Sequence, residues 1–273
     1  GSEMCIRDRV SIPAPLNVMT SLVMAFTLGL GIANLNTQSL KDMFGEFRDI
    51  ITKTIQVVVL PLLPIYIFGI FFNMTHSGEV FKVLTMFVKI IGVIFVMHIF
   101  LLLFQYAIAG IFAQKNPLRL LSRMMPAYFT ALGTQSSAAT IPVTLRQTIL
   151  NGVNKDIAGF VIPLCATIHL SGSTMKIVAC AIALMMMQGI GYDFQSIAGF
   201  IFMLGITMVA APGVPGGAIM AALGILSSML GFDDKSLALM IALYIAMDSF
   251  GTACNVTGDG ALALIIDCLL YTS

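Results

Sequence analysis

Four polar residues, Asp248, Thr252, Asn255 and Asp259, recur within an otherwise apolar stretch at positions 240–266. On an α-helix, which turns 100° per residue, they fall within about 60° of one another and form one stripe. Carboxylates are costly in hydrocarbon and are usually kept there for a function such as binding an ion or solute. The stripe therefore predicts a site for cations or small solutes.

The composition predicts that this stripe lies inside a membrane. Of the 273 residues, 58% are hydrophobic and only 10% are charged, whereas soluble domains carry about 25% charged residues. Charge-free runs cover 54–78, 90–114, 157–175 and 194–232, and about 20 residues span a bilayer as a helix. We expect a polytopic all-α membrane protein in contact with lipid. The net charge of +1 predicts no nucleic-acid partner.

Both ends of the chain are interpreted as foreign to the protein. Residues 1–8 (GSEMCIRD) and 268–273 (CLLYTS) back-translate to the two orientations of one transposase-type sequencing adapter. We therefore predict that residues 1–9 and 268–273 are adapter-derived, and that the remainder is an internal fragment. Three cysteines then remain, Cys165, Cys180 and Cys254, and they are interpreted as small packing residues.

The first half of the chain reads as a set of helices. The basic residues Lys115, Arg119 and Arg123 follow them and predict a cytoplasmic loop by the positive-inside rule. Pro61 and Pro64 predict a kink in one helix. The expected segments are a membrane helix end at 17–35, an amphipathic stretch at 41–53, and long apolar helices at 54–73 and 81–113.

Three segments in the second half carry breaks where a membrane helix is expected to be continuous. Residues 127–145 have a polar centre at 133–137 and positive flanks at both ends, which predicts a re-entrant hairpin; an interfacial or broken crossing helix is the alternative. Residues 157–188 are interrupted by Pro163 and by a polar patch at 169–174.

Residues 194–232 carry no charge and are too long for one helix. Their Pro/Gly centre at 210–217 predicts two half-length helices joined by a tip. The flanks at Asp193 and Asp233 lack positive excess, so this second hairpin is expected to enter from the outside. Hairpins that approach from opposite sides indicate an inverted repeat with a site at the bilayer midplane, which is typical of secondary transporters.

The chain resembles the dicarboxylate/amino acid:cation symporters, the glutamate-transporter homologues. Four ordered motifs carry the resemblance over residues 117–267: SSAATIPVT at 136–144, PLCATIHLSGST at 163–174, PGVPGGAIM at 212–220 and DSFGTACNVTGD at 248–259. The resemblance implies a homotrimer in which each transport core moves past a fixed scaffold, an elevator mechanism. Residues 10–115 would be partial scaffold and residues 116–267 the transport core.

The resemblance also implies a site between the two hairpin tips, the broken helix and the last helix. Serines of the first tip would hold the substrate's α-carboxylate, and Asp248 would receive its α-amino group. Implied substrate-binding positions are Ser136, Ser137, Val214, Gly216, Asp248, Gly251, Thr252 and Asn255. Asp259 and the carbonyls of Cys165, His169 and Asn255 would bind sodium, and the Thr167 carbonyl would serve a second ion.

Departures from the family pattern bear on the substrate. Gly251 stands where many members with acidic substrates have an arginine, and Gln135 stands where an arginine often precedes the serines. A roomier, uncharged pocket beside Gly251 favours a small neutral amino acid. The alternative is an acidic amino acid or C4-dicarboxylate, with Lys176 replacing the missing arginine. Ser171 replaces an aspartate that binds sodium in many members, which predicts fewer coupled sodium ions.

Several residues have more than one interpretation. Lys176 could snorkel to an interface, replace a missing cation beside Asp248 or Asp259, or bind an acidic substrate group. His169 could carry a proton, since its pKa lies near physiological pH, or be a neutral, hydrogen-bonded helix breaker. Sodium is the expected coupling ion and a proton is the alternative. His98 is expected to be structural or interfacial.

The competing classes are an enzyme and a channel. An intramembrane serine hydrolase would need a histidine within hydrogen-bond reach of a serine, and no GxSxG motif occurs. A channel would conduct without requiring substrate. We predict a non-enzymatic, cation-coupled symporter, multi-pass in the inner (plasma) membrane of a prokaryotic cell.

Overall fold

The structure is a computed structural model and describes residues 18–35, 38–54, 57–58, 60–76, 78, 80–211 and 215–271. The chain divides into two compact units, residues 1–46 and 47–273. All regular structure in the described ranges is helical, which confirms the all-α prediction.

The predicted helices of the first half are present. The helix expected at 17–35 is α1 (Val18–Leu35), and the amphipathic stretch at 41–53 lies in α2 (Gln38–Thr54). The two long apolar segments form α3 (Leu60–His76) and α4 (Val80–Ala113). Pro64 lies inside α3.

The first predicted hairpin is a pair of helices after the short α5 (Pro117–Arg123), namely α6 (Met125–Thr134) and α7 (Ser137–Leu150). Gln135 closes α6 in the left-handed region with φ 52°. Ser136 is extended, and its hydroxyl accepts the Ala139 N–H at 3.3 Å to cap α7. A two-residue tip therefore suffices to reverse the chain.

The broken helix is α8 (Lys155–Ile168) followed by α9 (Ser171–Gln188). The break comprises only His169 and Leu170, so the polar residues 171–174 belong to the first turn of α9. The prediction that Pro163 interrupts the segment is wrong, because Pro163 lies inside α8, which continues past it to Ile168.

The second predicted hairpin consists of α10 (Phe194–Val209) and α11 (Gly217–Leu230). Asp193 caps α10 by accepting the Ser196 N–H at 2.7 Å. Gly216 precedes α11 with φ 72°, a left-handed conformation that glycine adopts without a steric penalty. The tip residues 212–214, Val214 among them, lie outside the described residues.

The last segment differs from the expectation of one helix across 240–266. Two helices are present, α12 (Asp234–Ala246) and α13 (Asp248–Tyr271), separated at Met247. All four stripe residues lie on α13, and Asp248 lies in its first turn. A carboxylate there is stabilised by the N-terminal end of the helix dipole. Residues 268–271 continue α13, and their proposed adapter origin stays a prediction.

Three helical stretches are long and apolar enough to cross a membrane among the residues searched, which are those the structure describes: Val83–Ala113, Lys155–Gln188 and Asp248–Leu270. The second includes the break at 169–170. These stretches agree with the predicted membrane protein, whereas re-entry of the two hairpins from opposite sides stays a prediction.

Helix α13 lies at the centre of the second unit, where it packs against α4, α6, α7, α8 and α9. Its apolar side contributes Ala253, Val256 and Leu264 to a buried cluster that includes Tyr106 and Ile162. The polar stripe is therefore held on a helix whose neighbours surround it.

The cap of α12 yields a prediction about stability. Hydrogen bonds from the Ser236 hydroxyl (2.6 Å) and N–H (2.8 Å) lower the pKa of Asp233. Because the folded pKa is depressed, the stabilisation is complete above the unfolded pKa and is lost as the pH falls through the folded value. Asp233→Ala should cost about 1 kcal/mol of unfolding free energy.

Asp233→Asn provides the control, because asparagine caps a helix about as well as aspartate. Its stability at neutral pH should match the unmodified chain, while the acid-dependent loss below about pH 4 should disappear. Unfolding curves in detergent at several pH values measure both effects. Equal stability of the alanine variant at neutral pH would contradict the capping role.

Candidate functional site

The first turn of α9, just after the break, is bound to α13 through Asn255. Its side-chain oxygen accepts the N–H groups of Gly172 (2.8 Å) and Ser173 (3.2 Å), which are free at the start of α9. Its amide nitrogen donates to the Ser173 hydroxyl at 2.9 Å, and the Tyr244 hydroxyl donates to the same oxygen at 3.2 Å. Asn255 therefore attaches the broken helix to α13.

The two segments approach so closely that glycine is required in the first turn of α9. A Cβ atom at Gly172 would lie 2.7 Å from the Cβ of Cys254 and 3.0 Å from the backbone oxygen of Gly251. Both are atoms fixed to the backbone of α13, so neither can rotate away. The absence of a side chain at 172 allows the contact with Asn255.

Asp248 and Lys176 form a buried ion pair at the start of α13. The Lys176 Nζ lies 3.5 Å from the Asp248 Oδ1, and the two side chains are 0% and 6% exposed. The ammonium also donates to the backbone oxygens of Tyr244 (3.2 Å) and Met247 (3.3 Å) and lies 3.4 Å from the centre of the Tyr244 ring. Lys176 thus occupies the gap between α12 and α13.

The expectation of an uncharged pocket beside Gly251 is wrong. A Cβ at Gly251 would lie 3.0 Å from the Lys176 Nζ and 3.4 Å from the Ser173 hydroxyl. The expectation considered only the residue at 251, whereas the cation reaches this position from α9. Of the interpretations of Lys176, a cation beside Asp248 agrees with this geometry, and a snorkelling lysine does not.

Both hairpin tips contact the start of α13. The Gly216 N–H donates to the Asp248 Oδ2 at 2.8 Å, and the Gln135 side chain donates to the Ser249 hydroxyl at 2.8 Å. A cavity of ≈ 500 Å³ lies between these tips and α3. Its lining residues are Pro64, Ile67, Phe68, Gln135, Pro215, Gly216, Ile245 and Asp248. The cavity is therefore largely apolar, with one carboxylate.

The other end of the stripe is centred on Asp259, which is 1% exposed. Its Oδ1 lies 2.7 Å from the His169 Nδ1, and the His169 N–H binds the Cys165 carbonyl at 2.8 Å. The His169 ring, and not its carbonyl, therefore makes the contact with Asp259, and the roles of Asp259 and of the Cys165 and His169 carbonyls as sodium ligands stay predictions. The contact with Asp259 also gives the imidazole of His169 a carboxylate partner, a geometry that both interpretations of that residue allow.

Helix α4 supplies polar contacts that the sequence analysis did not assign to the site. The His98 Nε2 lies 3.1 Å from the Gly172 oxygen, and the Gln105 Nε2 lies 3.4 Å from both the His169 Nε2 and the Ser171 hydroxyl. His98 and Gln105 are seven residues apart and share one face of α4. That spacing of polar residues in an apolar helix was the available signal.

The remaining predicted residues have different surroundings. Thr252 lies one turn beyond Asp248 and is buried, as is Ser137 at the start of α7. Thr167 is exposed, and its hydroxyl binds the Leu164 carbonyl at 2.8 Å. The second ion site, which would use Thr167 and the 212–216 tip, includes residues 212–214, which lie outside the described residues, and stays a prediction.

The geometry gives no support to serine hydrolysis. The His169 ring faces Asp259 and Gln105, and the His98 Nε2 faces a backbone oxygen. In the part of the chain that the structure describes, no group of three His, Cys, Asp or Glu residues is arranged to hold a metal ion. A hard cation such as sodium prefers oxygen ligands such as the Asp259 carboxylate.

The polar stripe, the broken helix and the two paired-helix tips are the features that the sequence analysis expects of an all-helical membrane protein of the secondary-transporter class. The sequence profile of the sodium:dicarboxylate symporter family matches residues 8–269, and the chain belongs to that family.

Relatives with curated descriptions agree with this assignment. The chain is 28% identical to human excitatory amino acid transporter 2, over 97% of this chain and 47% of the relative. It is 25% identical to a Caenorhabditis elegans excitatory amino acid transporter, over 97% and 54% respectively. The chain spans about half the length of the curated relatives it matches. The family and these relatives are transporters, which confirms the non-enzymatic prediction.

Proposed function

We propose that this chain forms the core of a symporter that couples cation entry, with sodium as the expected cation, to uptake of a small carboxylate-bearing solute. One observation carries the proposal: a single helix, α13, holds a buried carboxylate at each of two sites. Asp248 lies beside the cavity and Asp259 lies 11 residues further on, a rise of about 16 Å.

Asn255, between these carboxylates, supplies a physical route for coupling. Its side chain holds the start of α9, and its backbone oxygen is a proposed sodium ligand. An ion that orders this part of α13 also orders the break and Ser173. Cation binding is thus expected to organise the same elements that surround the solute.

The solute is proposed to be an amino acid or a dicarboxylate held between Gln135–Ser137 and the Pro215–Gly216 turn. A small neutral amino acid is the expectation from the missing arginine at Gly251. The second candidate, an acidic amino acid or C4-dicarboxylate, is favoured by a specific observation. The Lys176 ammonium lies where a side chain from position 251 would begin, so a cation is present without an arginine.

The elevator movement, the homotrimer, the two-ion arrangement and a prokaryotic inner-membrane location are also proposals. Hydrogen bonds from Gln105 to Ser171 and from Tyr106 to the Thr257 carbonyl support moving α4 together with the core. This would place the division between scaffold and core before residue 80 rather than at residue 116.

Sodium binding tests the proposal directly. The purified chain should become more resistant to thermal unfolding as sodium replaces potassium at constant ionic strength, because a ligand that binds only the folded state stabilises it. Asp259→Asn should abolish this sodium-dependent shift, since the substitution removes the carboxylate ligand.

A matched control is Asp156→Asn, which removes an exposed carboxylate from the first turn of α8. It should keep the full response to sodium. A melting temperature of the unmodified chain that is identical in sodium and potassium would contradict sodium coupling.

A further inference from the structure

We propose that Lys176 is a built-in counter-ion that neutralises Asp248 from outside the cavity, so that the site selects carboxylate solutes without an ammonium group. The inference rests on the proposed function and deepens it by defining the substrate class. Lys176 acts as a specificity-determining residue through Asp248, without touching the solute itself.

Both carboxylate oxygens of Asp248 are engaged. Oδ2 accepts the Gly216 N–H at 2.8 Å, and Oδ1 faces the Lys176 ammonium at 3.5 Å. Asp248 lines the cavity between the tips and is the carboxylate that would otherwise receive a solute amine. The ammonium of Lys176 therefore already balances the negative charge of Asp248.

The ammonium of Lys176 is held by three acceptors. A lysine ammonium has three N–H donors, and here they face the carbonyls of Tyr244 and Met247 and the carboxylate of Asp248. Those two carbonyls flank the interruption between α12 and α13, and each also accepts a backbone N–H, from Met247 and Gly251 respectively. The side chain is fully buried and is not among the residues that line the cavity.

The effect of Lys176 on the choice of solute is electrostatic. An ammonium-bearing solute would place a second positive charge on the same carboxylate, beside Lys176, and like charges in such a position cost several-fold to many-fold in affinity. A solute that offers only carboxylate and apolar groups meets no such repulsion. It meets an Asp248 whose charge Lys176 already balances, in a cavity whose other lining residues are uncharged.

The test compares acids that differ only in the amine. Binding of succinate, aspartate, propionate and alanine to the full chain in lipid nanodiscs is measured by calorimetry in sodium. We expect the amine-free acid of each pair to bind at least about tenfold more tightly than its amino acid. Lys176→Met should reverse this preference, because Asp248 then lacks its internal counter-ion.

Lys89→Met is the matched control, since it removes an exposed lysine from α4, and it should leave both ratios unchanged. If Lys176→Met fails to fold, the double variant Lys176→Met/Asp248→Asn removes both charges and should bring each ratio close to one. A merely structural lysine would change all four affinities alike.

Equal binding of each pair by the unmodified chain would overturn the inference while leaving the symporter proposal intact. If the folded Lys176→Met variant keeps the affinity ratios of the unmodified chain, the inference is overturned as well. Absence of binding of all four acids would overturn the proposed function itself, and the selectivity of Lys176 would fall with it.

Discussion

Lys176→Met is expected to lower the unfolding free energy by about 3–5 kcal/mol, the usual cost of removing one partner from a buried ion pair. The substitution leaves the Asp248 carboxylate, 6% exposed, without its counter-ion. It also leaves the carbonyls of Tyr244 and Met247 without the ammonium donor. Unfolding in mixed micelles, followed by circular dichroism, measures the loss.

The double variant Lys176→Met/Asp248→Asn separates the charge from the packing of the lysine chain. It should recover most of the lost stability, because no unpaired charge remains buried. Lys89→Met, at an exposed position, should change the stability by no more than about 0.5 kcal/mol. Equal losses in the single and double variants would show that the ion pair contributes little.

Gly172→Ala is expected to destabilise the chain by about 1–3 kcal/mol, the range for overpacking a close contact. The added methyl would meet the Cβ of Cys254 at 2.7 Å and the Gly251 oxygen at 3.0 Å. Relief requires α9 to move away from α13, which lengthens the hydrogen bonds from Gly172 and Ser173 to Asn255. Thermal unfolding should therefore show a lower midpoint.

Gly159→Ala serves as the comparison, since Gly159 lies inside α8 and nothing lies within 4 Å of its added Cβ. That change should be neutral or stabilising by up to about 1 kcal/mol, because alanine favours the helix. Adding Cys254→Gly to Gly172→Ala should restore part of the stability. An unchanged midpoint for Gly172→Ala would contradict the close approach.

The hairpins and the broken helix could be predicted from the sequence because their signals are local. Proline and glycine cannot continue a helix through 210–217, and the Gly133–Ser137 cluster marks the first tip. The break at Met247 had no such signal: residues 240–248 read as a continuous apolar helix. The contacts found there are tertiary: the Lys176 ammonium reaches the Tyr244 and Met247 oxygens from α9.

The site was predictable where it lies on one helix and not where it joins several. The spacing of Asp248, Thr252, Asn255 and Asp259 identifies one face of α13. Pairing of Asp248 with Lys176 and of Asp259 with His169 joins residues 72 and 90 positions apart, a separation that no local pattern reports. The substrate expectation built on Gly251 was incomplete for the same reason.

The interruption at Met247 has an electrical consequence. The negative end of the α12 dipole faces the ammonium of Lys176, and the positive end of the α13 dipole carries the carboxylate of Asp248. In the proposed elevator movement these two charges would cancel, and the pair would do no net work against the membrane potential, which amounts to about 2.3 kcal/mol per charge per 100 mV. Voltage would therefore act on the bound cations and solute, and not on this part of the protein.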